Sequence, residues 1–444
     1  MIYCKNCLYP GNHPYGLVFN SEGVCSGCRV HQEKDQLDWE SRFELLKQLV
    51  FENKGSSMGA SFDCIVPVTG GGDSYFTVHV VKNLLGLNPL LVQYNSHYNT
   101  RIGVRNLANL ATVFDCDVVS STLSPTLLKR ITRKTLRDFG SIYWQVLAGN
   151  LTFPVQVAVK FRIPLIVWGV HPWSDQTGMF SHLDEVEMTE RCRKEHGLMG
   201  ISAEDLVDES QGISRADVQP FVYPYDNELE TIGVRGIYLS NFIRWDSKAQ
   251  HELMIEEFGY ETQLQQRTFN SYEDVHCFHS AGLHDYLKFL RLGYSKVTDH
   301  ATREIRLGRL TRAEGASLVA RYSDVKPNDT DVFLEWLGME QQEFWSYVWD
   351  RRDPRIWTKD KHGCWRLSDH VGNHVTNAES SPENWAEQKG FQFKLTENVE
   401  ADERSNQYLL MGRGYVDKFN YGAVVDRPVN GKFTKRRWVR PSIV

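Results

Sequence analysis

The stretch of sequence that decides the fold is Asp63-Cys64-Ile65-Val66-Pro67-Val68-Thr69-Gly70-Gly71-Gly72-Asp73-Ser74. Its first half is short and apolar, as in a buried β-strand, and its second half is a glycine loop. The residues that follow, 75–85, are apolar at helical spacing. A strand, a glycine loop and a helix in this order direct backbone N–H groups and the positive end of a helix towards an anion. The stretch therefore predicts a phosphate-binding loop, the alternative being a tight glycine turn without a ligand.

The loop differs from two common nucleotide-binding patterns. No lysine follows the glycines, which excludes Gly-x-x-x-x-Gly-Lys-Ser/Thr, and Asp73 and Ser74 stand where Gly-x-Gly-x-x-Gly would continue. The loop resembles instead the PP-loop of the ATP pyrophosphatase superfamily, usually Ser-Gly-Gly-x-Asp-Ser after a hydrophobic strand. That resemblance implies an enzyme that holds ATP while its α-phosphate is attacked and pyrophosphate leaves. Thr69 replaces the usual serine, and Gly72 stands where many relatives carry lysine.

After residue 62 the pattern alternates between strands and helices. It predicts apolar strands at 65–68, 89–94, 117–121 and 163–170, and helices at 75–86, 104–114, 125–139 and 152–161. Near-continuous apolar strands separated by helices indicate an α/β fold with a parallel sheet covered on both faces. Ligands of such sheets lie beyond the carboxyl ends of the strands, so we expect residues 69–74, 93–99 and 168–173 to surround one crevice.

Four of the nine cysteines form two Cys-x-x-Cys pairs near the N-terminus. Cys4 and Cys7 make the first pair, and Cys25 and Cys28 make the second. This spacing is typical of a tetrahedral Cys₄ zinc site. Four thiolates leave no open coordination position, so the predicted Zn²⁺ is structural. An iron–sulfur cluster and a redox pair are the alternatives.

Composition narrows the class of protein. The chain has 444 residues and a net charge of −6, from 50 basic and 56 acidic residues. This balance argues against a nucleic-acid partner, because such proteins concentrate basic charge on one face. No apolar run reaches the roughly 20 residues that cross a bilayer, and the N-terminus has no apolar signal-peptide core. We therefore expect no membrane span and a cytoplasmic location, where the cysteines stay reduced.

Changes in pattern along the chain predict five segments. They are a zinc module at 1–34, a linker helix and loop at 35–60, the PP-loop domain at 61–236, a mostly helical substrate or partner region at 237–355, and a mixed, partly β extension at 356–444. Within the extension, residues 408–411 are predicted to form a strand.

Segments beyond the loop resemble the N-acetyl sugar amidotransferases of bacterial surface-polysaccharide biosynthesis. The resemblance extends from residue 1 to about residue 372. Besides the two cysteine pairs and the strand before the loop, it rests on Gly86–Val92, Ile102-Gly103, Asn106-Leu107, Ile163–Gly169, Trp245-Asp246, Asp285–Leu290 and Thr298–Arg309. The chain departs from the family pattern at Thr69, at Gly72, at 142–149 and at Val170-His171-Pro172.

The resemblance implies an ATP-dependent reaction in three steps. The acetamido oxygen of the sugar is adenylated, pyrophosphate departs, and ammonia then displaces AMP to leave an acetamidino group. Asp73 and Ser74 are the candidate catalytic residues, with Asp73 either holding Mg²⁺ or capping the helix. The candidate ATP-binding residues are Thr69, Gly70, Gly71, Gly72, Asp73, Ser74, Gln93, Tyr94, Asn95, Trp168 and Gly169.

Four further residues are candidates for substrate binding. Asp299, Arg303 and Arg306 recur at helical spacing and are predicted to share a face. They either form an ion-pair network within the helix or present arginines to a sugar-linked diphosphate. His171 follows the strand that carries Trp168 and Gly169, and is either structural or part of the crevice.

The family scheme also implies partners. No cysteine here lies in a Gly-x-Cys-x-Gly nucleophile turn, and residue 2 is isoleucine, so this chain is not expected to hydrolyse glutamine. The resemblance implies separate glutaminase and cyclase-like subunits that supply ammonia. A tRNA-modifying PP-loop enzyme and a catalytically inactive PP-loop scaffold remain the alternatives.

Overall fold

The computed structural model describes residues 1–54 and 61–375, and its centre is a five-stranded parallel sheet. The strand order is β3-β2-β1-β4-β5. The strands are β1 (Cys64–Pro67), β2 (Pro89–Asn95), β3 (Val118–Thr122), β4 (Leu165–Trp168) and β5 (Arg235–Tyr238). Strands β2 and β3 are added in turn on one side of β1, and β4 and β5 are added in turn on its other side. The strand order therefore reverses between β1 and β4, which is where sheets of this class bind ligands.

The predicted α/β fold is confirmed, and strand periodicity explains how both faces are covered. Ile65 lies opposite Leu90 and Ile166 in the register of the three central strands. These side chains pack on one face with Val155 and Ala158. Their neighbours along each strand point the other way, because successive side chains of a strand alternate between the faces. That second face forms the largest core cluster, with Val66, Leu91, Val167, Val78, Leu110 and Met254 among its members.

Nine helices precede β5 in the described part of the chain. They are α1 (Ser26–Glu33), α2 (Trp39–Lys54), α3 (Gly72–His79), α4 (Arg101–Val113), α5 (Pro125–Phe139), α6 (Trp144–Phe161), α7 (Pro172–Thr177), α8 (Arg215–Val218) and α9 (Asp226–Ile232). Helix α3 continues into a π-helical turn at Val80–Leu84, and a second such turn spans Cys192–Gly197. Short 3₁₀ turns lie at His182–Asp184, Glu204–Leu206, Glu209–Gln211, Gln219–Phe221, Leu239–Asn241 and Val371–His374.

The region after β5 is mostly helical, as predicted. Its helices are α10 (Ser247–Phe258), α11 (Phe278–Ala281), α12 (Leu283–Leu292), α13 (Lys296–Arg306), α14 (Arg312–Tyr322), α15 (Thr330–Leu337) and α16 (Gln341–Trp349). A two-stranded antiparallel hairpin, β6 (Trp357–Lys359) and β7 (Trp365–Leu367), follows. The strand predicted at 408–411 lies outside the described residues, and the predicted division into five segments stays a prediction.

The element boundaries differ from the sequence-based ones for local reasons. Helix α4 begins at Arg101 rather than at 104, because the Thr100 hydroxyl accepts the Gly103 N–H at 2.9 Å and caps it. Helix α6 begins at Trp144, eight residues before the predicted start. Strand β4 covers only Leu165–Trp168 of the predicted 163–170, and α6 ends before it where Arg162 adopts a left-handed conformation.

Within the described ranges, no helix is long and apolar enough to cross a bilayer.

Candidate functional site

The glycine loop follows β1 at the point where the strand order reverses. Gly70 has φ +82°, a conformation that favours glycine, and Gly71 is the N-cap of α3. The loop is closed by its own hydroxyl groups. Ser74 Oγ accepts the Thr69 N–H at 3.1 Å, and Thr69 Oγ1 accepts the Gly71 N–H at 3.4 Å. The Thr69 hydroxyl therefore helps to hold the loop in this conformation.

Two glycines let three backbone segments meet beside the loop. A Cβ atom on Gly70 would lie 2.7 Å from the carbonyl oxygen of Gly103. A Cβ atom on Gly103 would in turn lie 2.1 Å from the carbonyl oxygen of His276. Distances this short are not tolerated by real side chains, so β1, α4 and the coil before α11 approach one another only through glycine. This approach places His276 next to the loop.

The space beside Gly72 is filled by His251 from α10. A Cβ atom on Gly72 would lie 1.9 Å from Cδ2 of His251 and 2.2 Å from its Nε2. The ring is buried, and its Nδ1 donates to the carbonyl oxygen of Ser247 at 2.6 Å. Because Nδ1 contacts a carbonyl, Nε2 is left facing the loop, 3.9 Å from Oδ1 of Asp73. The lysine common at position 72 therefore has no room here, and an imidazole nitrogen stands close to where its chain would begin.

Asp73 presents one buried and one accessible side. Its side chain is 47 % exposed, yet Oδ1 is buried without a hydrogen-bond partner among the described residues. Burial raises the pKa of the Asp73 carboxyl, while the nearby His251 lowers it and Glu273 raises it further. A carboxylate with unused acceptor capacity beside a phosphate-type loop fits an Mg²⁺ ligand, since Mg²⁺ is commonly held by one or two carboxylates together with substrate phosphates.

A histidine lies beside the loop, and an arginine acts on the Asp73 carboxylate. The imidazole Nδ1 of His276 is buried, has no partner in the described part of the chain, and would lie 3.3 Å from a Cβ on Gly71. Although burial opposes the charged form of His276, Cys277 and Asp274 raise its pKa. Arg303 forms an ion pair with Glu273. Burial by itself would raise the pKa of Glu273, but the positive charges of Arg303 and His300 outweigh it, so this pKa lies well below its usual value.

The other substrate-binding candidates on α13 contact the N-terminal module, α7 and α12. Asp299 accepts the Tyr9 hydroxyl at 2.9 Å and the Lys288 ammonium at 2.6 Å. Arg306 donates to the carbonyl oxygens of Asp175 and Gln176 at 2.7 and 2.9 Å. Neither the predicted ion-pair network within the helix nor a free phosphate site describes these two contacts. Of the three residues, Arg303 lies nearest the loop, through Glu273.

His171 has a structural position at the end of β4. Its ring is buried against Tyr238, with ring centroids 4.6 Å apart. Its Nδ1 accepts the Ser174 N–H at 3.2 Å and so caps α7. Burial lowers the pKa of His171 to about 4. These contacts correspond to the structural alternative for His171.

The predicted ATP-binding residues at the strand ends divide into two groups. Gln93 accepts the Ser120 hydroxyl, and the Tyr94 ring is buried over Gly149, with its hydroxyl donating to Gln145 at 2.6 Å. Asn95 accepts hydrogen bonds from the neighbouring turn, from His97 N–H and Asn99 Nδ2. On β4, the Trp168 Nε1 is buried and has no partner among the described residues, and a Cβ on Gly169 would lie 2.9 Å from Oγ1 of Thr77. Gly169 therefore adjoins α3, whereas Trp168 packs on the opposite face of the sheet with Val155 and Ile166. Gln93, Tyr94 and Asn95 are held by β3, α6 and the adjacent turn.

The four N-terminal cysteines meet in one buried cluster. All four Sγ atoms lie within 4.8 Å of one another, with Cys4 to Cys28 at 3.9 Å and Cys7 to Cys25 at 3.7 Å. Tetrahedral coordination with Zn–S bonds of about 2.3 Å implies S–S distances of about 3.8 Å, so the donor set fits Zn²⁺. The backbone N–H groups of Asn6, Cys7 and Cys25 donate to Cys4 Sγ at 3.3–3.4 Å, as expected around thiolates.

This cluster is joined closely to the rest of the protein. Arg312 Nε donates to the carbonyl oxygens of Cys4 and Cys7 at 3.1 and 2.9 Å. The Ser26 hydroxyl donates to the carbonyl oxygen of Thr177 at 2.5 Å, at the end of α7. Gly27 and Gly178 permit the approach, because a Cβ on Gly27 would lie 2.2 Å from Nη2 of Arg306 and one on Gly178 would lie 2.4 Å from the Ser26 carbonyl oxygen.

Sequence reasoning missed three residues that the fold brings to the loop: His251, Glu273 and His276. Each lies about 180–200 residues after the loop, on α10 or in the coil after it. One signal was available, since a glycine at the lysine position indicates that another side chain occupies that space. Nothing in the sequence identifies which residue that is.

Comparison with known proteins gives three findings. Residues 266–371 match the family model described as "LPS biosynthesis protein WbpG-like, C-terminal domain". A stretch of 118 residues, 26 % of this chain, is 23 % identical to "Uncharacterized protein MJ1599" of Methanocaldococcus jannaschii and covers 41 % of that protein. NMN synthetase from Francisella tularensis, a solved structure, is 13 % identical with a TM-score of 0.25, over 48 % of this chain and 96 % of that one.

The family match confirms the predicted resemblance to the N-acetyl sugar amidotransferases of surface-polysaccharide biosynthesis. It begins ten residues before His276 and ends in the turn after β7. The chain spans about two fifths of the length of the archaeal relative. The likeness to NMN synthetase is too distant to carry an argument.

Proposed function

We propose that this chain is an ATP-dependent amidotransferase that converts the acetamido group of an N-acetyl sugar into an acetamidino group during lipopolysaccharide biosynthesis. The observation that carries the proposal is the glycine loop at the reversal of strand order, between β1 and the start of α3. The WbpG-like match of residues 266–371 supports the pathway class.

The proposed reaction consists of two displacement steps. The acetamido oxygen attacks the α-phosphorus of ATP, and the bond between the α-phosphorus and the bridging oxygen breaks to release pyrophosphate. Ammonia then attacks the imidate carbon, and the C–O bond to AMP breaks. The sugar keeps a C=NH group in place of its C=O oxygen, which leaves with AMP.

The residues of this chain have separate roles in the proposal. The loop and the first turn of α3 bind the phosphates, and the Ser74 hydroxyl, which accepts from Thr69, keeps its own proton to donate to a phosphate oxygen. His251 and His276 place imidazole nitrogens near the phosphates, where relatives carry lysine. Asp73 holds Mg²⁺, which screens phosphate charge when it is bound. Gly169 lines the side of the crevice nearest α3, and Trp168 lies at the end of β4 on the other face of the sheet.

Ammonia comes from a separate glutaminase in this proposal. A glutaminase nucleophile must be an accessible thiolate beside a base. Outside the zinc cluster, Cys64 and Cys277 are buried, Cys116 and Cys192 are half-buried, and Cys364 is exposed on the turn between β6 and β7. None of these five lies in a glutaminase-type nucleophile turn. The partner therefore brings the amidase chemistry, and this chain brings adenylation.

The test is to incubate the chain with ATP, Mg²⁺, ammonium chloride and a panel of acetamido-sugar nucleotides, and to measure AMP, pyrophosphate and product mass. We expect AMP and pyrophosphate in equal amounts, and a product about one mass unit lighter than the substrate because O is exchanged for NH. ATP binding without AMP formation on any acetamido sugar would favour the inactive scaffold. AMP formation that requires tRNA would favour the tRNA-modifying alternative.

A further inference from the structure

The two edges of the central sheet differ in how they are covered. At the β5 edge, the Met188 N–H donates to the carbonyl oxygen of Gly236 at 2.8 Å, and Glu187 pairs with Arg235. A Cβ atom on Gly236 would lie 2.7 Å from Cβ of Met188, so the covering segment lies directly against the strand. At the opposite edge, β3 pairs only with β2 among residues 1–54 and 61–375. The β3 edge is therefore the one that can accept a partner.

This edge presents backbone hydrogen-bonding groups. The Leu91 N–H donates to the carbonyl oxygen of Asp117 at 2.9 Å, which fixes the residues of β3 that bond to β2. Because successive residues of a strand direct their backbone groups to opposite sides, alternate residues of β3 point away from β2. These are Val118, Ser120 and Thr122, and their side chains are exposed as well. Their N–H and C=O groups have no backbone partner in the described ranges.

The strand lacks the features that usually keep a sheet edge from pairing. Residues 118–122 are Val-Val-Ser-Ser-Thr, without a charge or a proline. Its register with β2 also runs without a bulge. Lysine, proline and bulges are the common protections of exposed edges. Three of the five residues are β-branched, which favours an extended strand. The edge is thus suited to pairing with a further strand.

We propose that β3 is a dimer edge, at which a second copy of this chain pairs through its own β3. A two-fold axis perpendicular to the strand makes the two copies of β3 antiparallel, and each outward N–H then faces a C=O group of the other copy. With the axis at Ser120, Val118 faces Thr122 of the second copy and Ser120 faces its own counterpart. All the outward groups pair in this register, which gives about six hydrogen bonds. No like charges oppose one another along the paired residues.

Charge complementarity at the ends of the two strands supports a second copy as the partner. In this register the exposed Asp117 lies opposite Leu123 of the second copy, just before the start of α5. Helix α5 has no side-chain cap at Ser124 and no acidic residue in its first turn. The first N–H groups of a helix and the positive end of its dipole attract a carboxylate. The two-fold axis places this contact at both ends of the pair.

The dimer joins two five-stranded sheets into one continuous sheet. Because the strands of the two copies run in opposite directions, their glycine loops lie at opposite ends of that sheet, and neither blocks the other. Two short strands bury less than the roughly 1,200 Å² of a standard interface, so we expect a dissociation constant on the order of 10 µM. The proposal does not depend on the adenylation proposed above.

The test is analytical ultracentrifugation of the full-length chain across the micromolar range. We expect the mass of a monomer at low concentration and the mass of a dimer at high concentration. Hydrogen exchange at the same concentrations needs no variant. Amides of residues 117–123 should exchange more slowly as the concentration rises, whereas those of β5 should exchange at one rate throughout.

Charges at position 120 test the register, because this residue faces its own counterpart. Ser120→Lys and Ser120→Glu should each weaken self-association by about fivefold or more, since like charges then lie directly opposite. An equimolar mixture of the two variants should associate at least as tightly as the wild type, because lysine then faces glutamate. Thr231→Lys, at an exposed position on α9 near the covered edge, should leave the association unchanged.

Three results would overturn the proposal. The first is a monomer at every concentration, which includes the case in which residues 376–444 of the same chain occupy the edge. The second is a dimer that forms equally well in both folded Ser120 variants, and the third is a mixture that associates no better than either variant alone. If a variant does not fold, exchange of residues 117–123 in the wild type decides the question, and exchange independent of concentration contradicts the dimer. None of these results bears on AMP formation.

Discussion

Gly72 and His251 share one space. The two positions are 179 residues apart in the chain, yet a Cβ on Gly72 would lie 1.9 Å from the His251 ring. The glycine is therefore required by a partner on α10, rather than by the turn of the loop alone, and Gly72 does not have the positive φ that Gly70 has. A side chain at position 72 and the buried His251 ring therefore exclude each other.

This relationship predicts how a lysine at position 72 behaves. Gly72→Lys should lower the free energy of unfolding by about 1–3 kcal/mol and abolish ATP binding, because the new side chain overpacks against His251. Adding His251→Ala to Gly72→Lys should restore ATP binding, since it clears that space. The measurement is ATP affinity by calorimetry with thermal unfolding alongside. A double variant no better than Gly72→Lys would mean that the two side chains do not compete.

Asp73→Asn should remove turnover and keep the fold. The substitution preserves shape and removes the charge proposed to hold Mg²⁺, so we expect the rate of AMP formation to fall by roughly two orders of magnitude or more. Asp63→Asn is the matched control, because Asp63 lies at the opposite end of β1, where it accepts the Asn88 N–H. Equal losses in both variants would point to damage to the strand rather than to the chemistry.

The raised pKa of Asp73 should determine how the activity depends on pH. The ionised carboxylate is the form that binds a cation, and it disappears as the pH falls through the Asp73 pKa. Because burial raises that pKa, the acidic limb of the kcat/KM profile should lie above the value of an ordinary aspartate, about 4. A profile that is flat down to that value would remove Asp73 from the rate-determining ionisations.

His171 should make stability fall on acidification. In the unfolded chain the His171 imidazole has its ordinary pKa of 6.5, whereas burial lowers its pKa in the folded protein to about 4. Between these values the unfolded state binds the extra proton, so the free energy of unfolding decreases as the pH is lowered, by about 3 kcal/mol for this group. His171→Asn keeps a cap for α7 and does not titrate.

The measurement is chemical denaturation of the wild type and His171→Asn at several pH values in that window. Other buried histidines share part of the wild-type slope, so the difference between the two proteins isolates His171. His370 is an exposed histidine that caps a short turn in the same way. The His370→Asn variant should show the same dependence of unfolding free energy on pH as the wild type. Identical slopes in all three proteins would contradict the assignment.

Arg306 should couple metal retention to folding. Arg306→Ala leaves the carbonyl oxygens of Asp175 and Gln176 without this donor and removes the contact of Nη2 with Cys25 Sγ at 3.7 Å. We expect the free energy of unfolding to fall by about 2–4 kcal/mol and zinc to pass faster to a chelator. Arg321→Ala, at an exposed arginine on α14, is the control. Unchanged zinc release in Arg306→Ala would show that the cluster is held by its cysteines alone.

Particular residues show what the sequence could predict. The apolar periods of β1 and β2 and the spacing of the cysteine pairs depend on neighbours in the chain, so they predicted a parallel sheet and a Cys₄ cluster. Strand β5 was missed because Arg235–Tyr238 is four residues long and contains glycine, which weakens a strand pattern. Helical spacing predicted a shared face for Asp299, Arg303 and Arg306. In the structure Asp299 and Arg306 both contact Tyr9, and Arg303 and Arg306 both contact Asp175.

What could not be predicted depends on packing between distant segments. The partner of that side of α13 is the N-terminal module, and no local pattern encodes this. The same holds for His276, which reaches the loop because glycines at 70 and 103 let three backbones approach. The chemistry of the crevice thus rests on residues whose roles are assigned only by the tertiary fold.

The way the cysteine cluster is seated limits how this protein can be recombined with its relatives. The cluster meets α7 through Ser26 and Gly178, and meets the start of α14 through Arg312. These contacts use backbone atoms and glycines, so they tolerate little variation in spacing. A chimera that exchanges residues 1–34 alone should therefore misassemble, whereas one that carries 171–178 and 299–312 along with them should remain folded. For protein engineering, the three segments form one transferable unit.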